Sequence, residues 1–213
     1  MRLSIQNRSP RNKCESGTAA LEFALVAMPT VLMLLGVVVI GINLGRAIQV
    51  KEICRAANSM YVRGVDFSQT SAQNMLAQLG SNMNMQTDST SSGLIILSQV
   101  QFVPNPSTCT SSCSGTYQLM QRVTVGNTSL TGTHYPTYGS ISSCGGSTVT
   151  NCQDSQGNIV GYQTYSNAQI TNFGSSLTLS PNSISYVAEA YFTNGSNLNI
   201  WFNNSGYYSQ AFF

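Results

Sequence analysis

The sequence has very little charge, and this lack is the first constraint on its function. Only 8% of its 213 residues are Asp, Glu, Lys or Arg, against about 25% in ordinary soluble domains. Beyond Phe67 the charged residues are Asp88, Arg122, Asp154 and Glu189. Nucleic-acid binding needs clustered Lys and Arg, so we expect no nucleic-acid partner. The same stretch keeps aromatic and β-branched residues in short runs, which predicts a folded, polar, β-rich domain.

Histidine and patterned acids are scarce as well. The one histidine, His134, lies in a turn-like segment. We find no nucleophile elbow, glycine-rich phosphate loop or metal-spaced cluster of His and acids in the sequence. A carboxylate pair for glycoside chemistry would have to come from acids that are far apart. We therefore expect no enzyme activity, no cofactor and no metal site, and we expect Glu189 to face solvent in preference to pairing with Arg122.

One long run of the sequence has no charge at all. It extends from Phe23 to Gly45, which is 23 residues. As a helix it would be about 35 Å long, enough to cross a hydrocarbon core of about 30 Å. A soluble helix is rarely apolar on every side over this length, and a cleaved secretory signal has a shorter apolar region of about 7–15 residues. The run therefore predicts a transmembrane helix over 23–45.

The orientation of this helix does not follow from flanking charge alone. Four Lys or Arg residues precede the run and four follow it: Arg2, Arg8, Arg11 and Lys13 before, and Arg46, Lys51, Arg55 and Arg63 after. The counts are equal, so the positive-inside rule does not decide the orientation. The downstream cysteines and polar composition favour an exported domain. We predict a single-pass membrane protein with a cytoplasmic N-terminus and an exported C-terminal domain.

A short motif stands at the head of the helix. Gly17 precedes the apolar run, Glu22 follows five residues later, and Phe23 comes directly after it. A carboxylate at the edge of a membrane helix is costly, so it needs a partner or a role. A cut between Gly17 and Thr18 would give Thr18 an amino group that can pair with Glu22 of a staggered neighbouring helix. The alternative is that Glu22 reaches the interface and interacts with the helix dipole.

This motif, followed by the apolar run that ends in Gly45-Arg46, resembles the class III signal segment of TadE/TadF-like pseudopilins. These are minor components of the tight-adherence (Flp-type) pilus, and the resemblance covers about residues 14–66. It implies processing by a prepilin peptidase after Gly17 and a role for Glu22 in recognition or assembly, with Phe23 completing the family's Glu-Phe pair. It also implies the bacterial inner membrane, the peptidase and other pilin or pseudopilin subunits as partners. The C-terminal domain would then be periplasmic, or outside the cell if the chain enters a pilus. Major pilins of this system are far shorter and usually carry Glu-Tyr, which favours a minor pseudopilin.

The remaining pattern predicts an α+β fold in the manner of pilins, with a long N-terminal hydrophobic helix followed by an antiparallel β-sheet domain. We divide the chain into a cleaved basic leader at 1–17, a helix at 18–64 and an exported domain at 65–213. The second half of the helix is amphipathic and should pack on that domain, with Ile48, Ile53, Ala56, Ala57 and Met60 as its apolar stripe. A second helix is predicted over 69–85.

Strand signals follow the helices. The predicted strands are 94–103, 117–125, 184–192 and a short one at 199–202. The first two should form a hairpin, because a turn-rich loop joins them. Along the second strand, period-2 alternation predicts that Tyr117, Leu119, Gln121, Val123 and Val125 share one face.

Four cysteines lie in loop-like parts of the polar domain: Cys109, Cys113, Cys144 and Cys152. An even set in an exported domain indicates two disulfides with three possible connectivities. We favour Cys109–Cys113 with Cys144–Cys152, since each pair brackets a flexible loop. A four-cysteine zinc site is the alternative, but the second pair is spaced too widely for it. Cys14 would be lost with the leader, and Cys54 should be a buried small hydrophobe and not an intermolecular crosslink.

The sequence therefore predicts a minor pilin or pseudopilin that is stored in the membrane, cleaved and used in pilus assembly or adhesion. The alternative is a membrane-anchored, adhesin-like surface domain that never enters a filament. An anchored enzyme is the third and least favoured hypothesis.

Overall fold

The computed structural model describes residues 15–104, 115–132, 137–138, 153–162, 168–193 and 206–213. The chain forms two compact units, Met1–Leu44 and Gly45–Phe213. A long apolar helix comes first and an antiparallel five-stranded sheet follows it. The predicted α+β, pilin-like fold class is confirmed.

Helix α1 extends over Glu15–Val62 and contains Pro29. The hydroxyl of Thr30 donates to the carbonyl of Val26 at 2.7 Å, so it does not need a partner outside the helix. Between Gly17 and Leu44 nearly every side chain is exposed, and most of them are apolar. Within the described part of the chain, α1 is the one helix that is long and apolar enough to cross a membrane.

The last part of α1 belongs to the unit Gly45–Phe213 and has a different character. Its buried residues recur at helical spacing: Val50, Ile53, Cys54, Ala57 and Tyr61. A period of three to four places them on one face. The predicted packing of this half on the domain is confirmed, but Ile48 lies outside the buried face and is 52% exposed.

The sheet contains five strands: β1 Gly93–Pro104, β2 Gly115–Gly126, β3 Gln169–Ile170, β4 Ile184–Thr193 and β5 Gly206–Phe212. Their order is β3-β2-β1-β4-β5, and every pairing is antiparallel. The predicted β1–β2 hairpin is present. The short strand expected at 199–202 lies outside the described residues, and the fifth strand lies further along the chain.

Helix α2 spans Thr70–Leu79 and is shorter than predicted. Gly80 ends it by donating back to the carbonyl of Leu76, and a 3-10 turn follows over Ser81–Met83. The two helices cover one face of the sheet. The helix-side core between them contains Val50, Ile53, Cys54, Ala57, Tyr61, Phe67, Ala72, Leu76, Met85, Ile95, Leu97, Val123, Val125, Ala188, Ala190, Phe192 and Tyr207.

A second cluster covers the other face of the sheet. This outer core contains Val100, Leu119, Tyr138, Ile159, Ala168, Ile170, Phe173 and Val187. Its aromatic rings meet at 5–6 Å, for example Tyr138 and Phe173 at 5.3 Å between ring centroids. The sheet is therefore buried on both sides.

The prediction that Tyr117, Leu119, Gln121, Val123 and Val125 share one face of β2 is wrong, because the strand contains a β-bulge. Gln99 pairs with Gln121 and Val100 with Leu119, so Met120 has no partner residue in β1. One extra residue reverses the alternation of side chains. As a result Leu119 packs in the outer core, while Val123 packs in the helix-side core.

Candidate functional site

The predicted processing motif lies at the head of α1. Gly17, Thr18, Glu22 and Phe23 all belong to this helix, and all four are exposed. Thr18 and Glu22 are four residues apart, so they lie on the same helix face. The motif therefore presents its polar groups outward from the helix.

Packing against the part of the chain that the structure describes does not require Gly17. A Cβ added at Gly17 would meet no atom of that part within 4 Å. The bond between Gly17 and Thr18 lies in the first turn of α1, where backbone N–H groups have no intrahelical partner. This turn is the least costly part of the helix to open. If Gly17 is needed, the need comes from a molecule that approaches it.

Glu22 is the only charged residue of α1 between Thr18 and Gly45. Its sequence neighbours are exposed and apolar, with Phe23 75% exposed. A carboxylate in such a setting must reach the interface or meet a cation on another molecule. This isolation marks Glu22 as the chemically distinctive residue of the apolar segment.

A second polar group lies inside the domain. Glu189 of β4 is only 2% exposed. Its Oε1 accepts hydrogen bonds from the backbone N–H of Thr137 and the hydroxyl of Tyr208, each at 2.9 Å. Its Oε2 is buried and has no hydrogen-bond partner among the described residues. The expectation that Glu189 faces solvent is wrong, because the side chain is buried and bonds to Thr137 and Tyr208.

Arg122 of β2 belongs to the same cluster. Its Nε donates to Ser98 Oγ at 3.1 Å, and its Nη2 donates to the carbonyl of Tyr138. Burial lowers the pKa of Arg122 to about 10, and the negative charge of Glu189 offsets part of this shift. Arg122 and Glu189 thus attract each other across β1, and both hold Thr137 and Tyr138 on the sheet. The arrangement is suited to anchoring this segment.

Two polar residues of α1, Cys54 and Asn58, bind the sheet directly, and Asn58 was not predicted. Asn58 donates to the carbonyls of Tyr186 at 3.3 Å and Ala211 at 2.8 Å. Cys54, one turn earlier, lies 3.3 Å from the carbonyl of Ala188. A buried Asn on an apolar helix face is recognisable only once the strand carbonyls opposite it are known.

Cys54 is buried, as predicted, and is a free thiol. Burial raises the pKa of Cys54 to about 12. Because the thiolate is the reactive form, this thiol is inert near neutral pH. Cys14, His134 and the four predicted disulfide cysteines, Cys109, Cys113, Cys144 and Cys152, lie outside the described residues. Among the residues that the structure describes, no three His, Cys, Asp or Glu side chains come together.

Comparison of the chain with family models, with curated proteins and with solved structures finds no match in any of the three. Any function therefore has to be inferred from the residues of the chain and from the resemblance noted for its N-terminal segment.

Proposed function

We propose that this chain is a minor pilin or pseudopilin of a tight-adherence (Flp-type) pilus. In this proposal α1 stores the chain in the inner membrane, with the N-terminus cytoplasmic and the domain periplasmic. A prepilin peptidase removes residues 1–17, and the chain then takes part in pilus assembly or adhesion with other pilin or pseudopilin subunits. The observation that carries the proposal is the lone exposed carboxylate of Glu22 at the head of an exposed apolar helix.

Cleavage would complete a charge pair. The new amino group of Thr18 would be mostly protonated at neutral pH. In a stack of helices it would meet Glu22 of a staggered neighbour, away from water. Removing one partner of such a buried pair typically costs about 3–5 kcal/mol. The pair would therefore determine the stagger between neighbouring helices. It would also disfavour the assembly of uncleaved chains, which lack the amino group.

The exposed apolar surface of α1 supports the same role. A helix that is apolar on every side is stable in lipid, and the same surface can pack against other apolar helices. The four cysteines of the polar domain are consistent with an exported location, because paired cysteines persist outside the cytoplasm. We assign them to two disulfides within that domain.

Glu22→Gln tests the assembly step. The substitution keeps the size of the side chain and removes its charge. We expect normal membrane insertion and a loss of most of the protein from sheared pilus fractions. Glu52→Gln is the matched control. Glu52 is also an exposed carboxylate of α1, but it lies outside the apolar run. Equal recovery of both variants in pili would contradict the role of Glu22.

The alternative is a membrane-anchored, adhesin-like domain that stays in the membrane. It predicts that the protein never appears in sheared filaments and that Glu22→Gln changes nothing outside the membrane fraction. Immunogold labelling of intact cells separates the two, since only the pilin hypothesis places the domain along filaments.

A further inference from the structure

Strand β5 is the last strand at one side of the sheet, and no strand of the described residues pairs with its outer side. Phe213 and Tyr186 exchange both backbone hydrogen bonds, at 2.9 and 2.8 Å. In an antiparallel ladder the inward and outward residues alternate. Ala211 therefore turns its backbone groups towards β4, while Gln210 and Phe212 turn theirs outward.

A groove runs beside this edge. It has a volume of about 770 Å³ and is lined by α1 on one side and by β5 on the other: Lys51, Glu52, Arg55, Ala56, Ser59 and Gln210 to Phe213. The α1 wall is fixed to the strand, because Asn58 donates to the carbonyl of Ala211. The groove is thus a firm part of the fold.

The α1 wall of this groove is basic. Lys51 and Arg55 are exposed and one helical turn apart. Glu52 lies 4.0 Å from Arg55, which leaves one net positive charge on the wall. Exposed pairs of this kind contribute little stability, so Arg55 can exchange partners at low cost. A carboxylate that enters the groove would be attracted to both cations.

Strand β5 itself carries none of the usual protection of an exposed edge. Natural edge strands are commonly blunted by charged side chains, Pro or bulges. The sequence of β5 is GYYSQAF, without charge or Pro. Among the described residues, the cations near this edge, Lys51 and Arg55, come from the helix and not from the strand.

We propose that this groove binds an extended, acidic peptide segment of another protein, which adds to β5 as a further strand. The N–H and C=O groups of Gln210 and Phe212 supply the backbone hydrogen bonds of this pairing. Lys51 and Arg55 bind a carboxylate of the segment, and Phe213, which is 59% exposed, supplies apolar contact.

A second copy of this chain fits the groove less well than a different protein. The exposed acids of the domain beyond α1 are Asp66, Asp88 and Asp154, and each binds hydroxyl or amide groups within its own turn. Glu189 is buried. None of these carboxylates lies on an extended, accessible segment, so the partner has to supply its own. The inference does not require the chain to enter a filament.

The test uses the full chain in lipid nanodiscs and a displayed library of random ten-residue peptides. We expect the enriched peptides to combine β-branched residues with Asp or Glu. Their affinity should fall about tenfold or more when Lys51→Glu and Arg55→Glu are introduced together, because a charge-assisted pair becomes a repulsion. Enrichment that does not exceed that on empty nanodiscs would overturn the proposal.

Gln210→Pro separates strand addition from simple charge attraction. Pro removes the outward N–H and leaves the β4 ladder intact, and edge strands tolerate it. Binding should fall about tenfold or more relative to Gln210→Ala, the reference variant that loses the same side chain but keeps the N–H. Unchanged binding by Gln210→Pro, with circular dichroism equal to the parent, would overturn strand addition. Self-association that this variant abolishes would assign the edge to a second copy and also contradict the proposal.

Discussion

The segment Gly17–Leu44 and the unit Gly45–Phe213 are both poor in charge, for opposite physical reasons. In the first, side chains are exposed and apolar, so lipid is the solvent that suits them. In the second, apolar side chains fill two cores, and Ser, Thr, Asn, Gln and Tyr supply polarity through hydrogen bonds. Low charge alone therefore does not distinguish the two regions; the exposure of their apolar residues does.

Helix α1 shows this contrast within a single element. Its residues up to Leu44 are apolar on all sides, whereas from Gly45 on the apolar residues form one buried face. Substitutions of the same kind in the two stretches should therefore have different effects on the domain. The following predictions use this difference, from the largest expected effect to the smallest.

Leu97→Ala should have the largest effect. Leu97 is fully buried in the helix-side core, so the change leaves a cavity and should lower the free energy of unfolding by about 2–5 kcal/mol. Leu34→Ala is the matched control, because Leu34 is exposed in α1 and lies outside both cores. Urea unfolding of the domain in the full chain, followed by tyrosine fluorescence, measures both. Equal losses would mean that the segment Gly17–Leu44 and the unit Gly45–Phe213 do not differ as described.

Glu189→Ala should come next. The change removes the acceptor of Thr137 and Tyr208 and leaves Arg122 without its nearest attracting charge. We expect a loss of about 2–4 kcal/mol in the free energy of unfolding. Glu52→Ala, an exposed acid in a 4.0 Å pair, should change it by less than about 0.5 kcal/mol. A loss in Glu189→Ala as small as that control would show that the carboxylate does not anchor the segment.

Asn58→Ala should cost less than Glu189→Ala. It removes two hydrogen bonds to strand carbonyls, which should lower the free energy of unfolding by about 1–2 kcal/mol. Gln49→Ala, on the same helix but exposed, is the control. Comparable unfolding midpoints for the two variants would contradict the anchoring role of Asn58.

The pH dependence of Cys54 should be the smallest effect at neutral pH. The pKa of Cys54 is raised from about 9 to about 12 in the folded chain. As the pH rises, the thiol therefore loses its proton in the unfolded chain before it does so in the folded chain. The contribution of the protonated Cys54 thiol to the free energy of unfolding is fully present below about pH 9, and it is lost progressively between about pH 9 and 12. The stability of Cys54→Ala should therefore fall less steeply than that of the parent chain between pH 8.5 and 10.5. Parallel pH profiles of urea midpoints would contradict the buried, protonated thiol.

The elements predicted best are those with strong periodic patterns. The uncharged run of α1 and the β-branched residues around Leu94–Val103 define their elements without help from tertiary contacts. The bulge at Met120 was not predictable, because its cause is the pairing register with β1 and not the composition of β2. Strand β5 was missed for a related reason: GYYSQAF has no β-branched residue, and its pairing with β4 determines its structure.

The site was predictable only in part. The position of Gly17 and Glu22 at the helix head follows from the sequence, and their exposure agrees with it. The burial of Glu189 did not follow, because its cover comes from Thr137, 52 residues away in the chain. Contacts of this kind depend on loops whose placement leaves little trace in local sequence.

The most direct test of the central claim is the intact mass of the chain purified from membranes of cells that assemble the pilus. The pilin proposal predicts a mature chain that begins at Thr18, with residues 1–17 removed. A mature chain that begins at Met1 would contradict the pilin proposal, and α1 would then be a permanent membrane anchor.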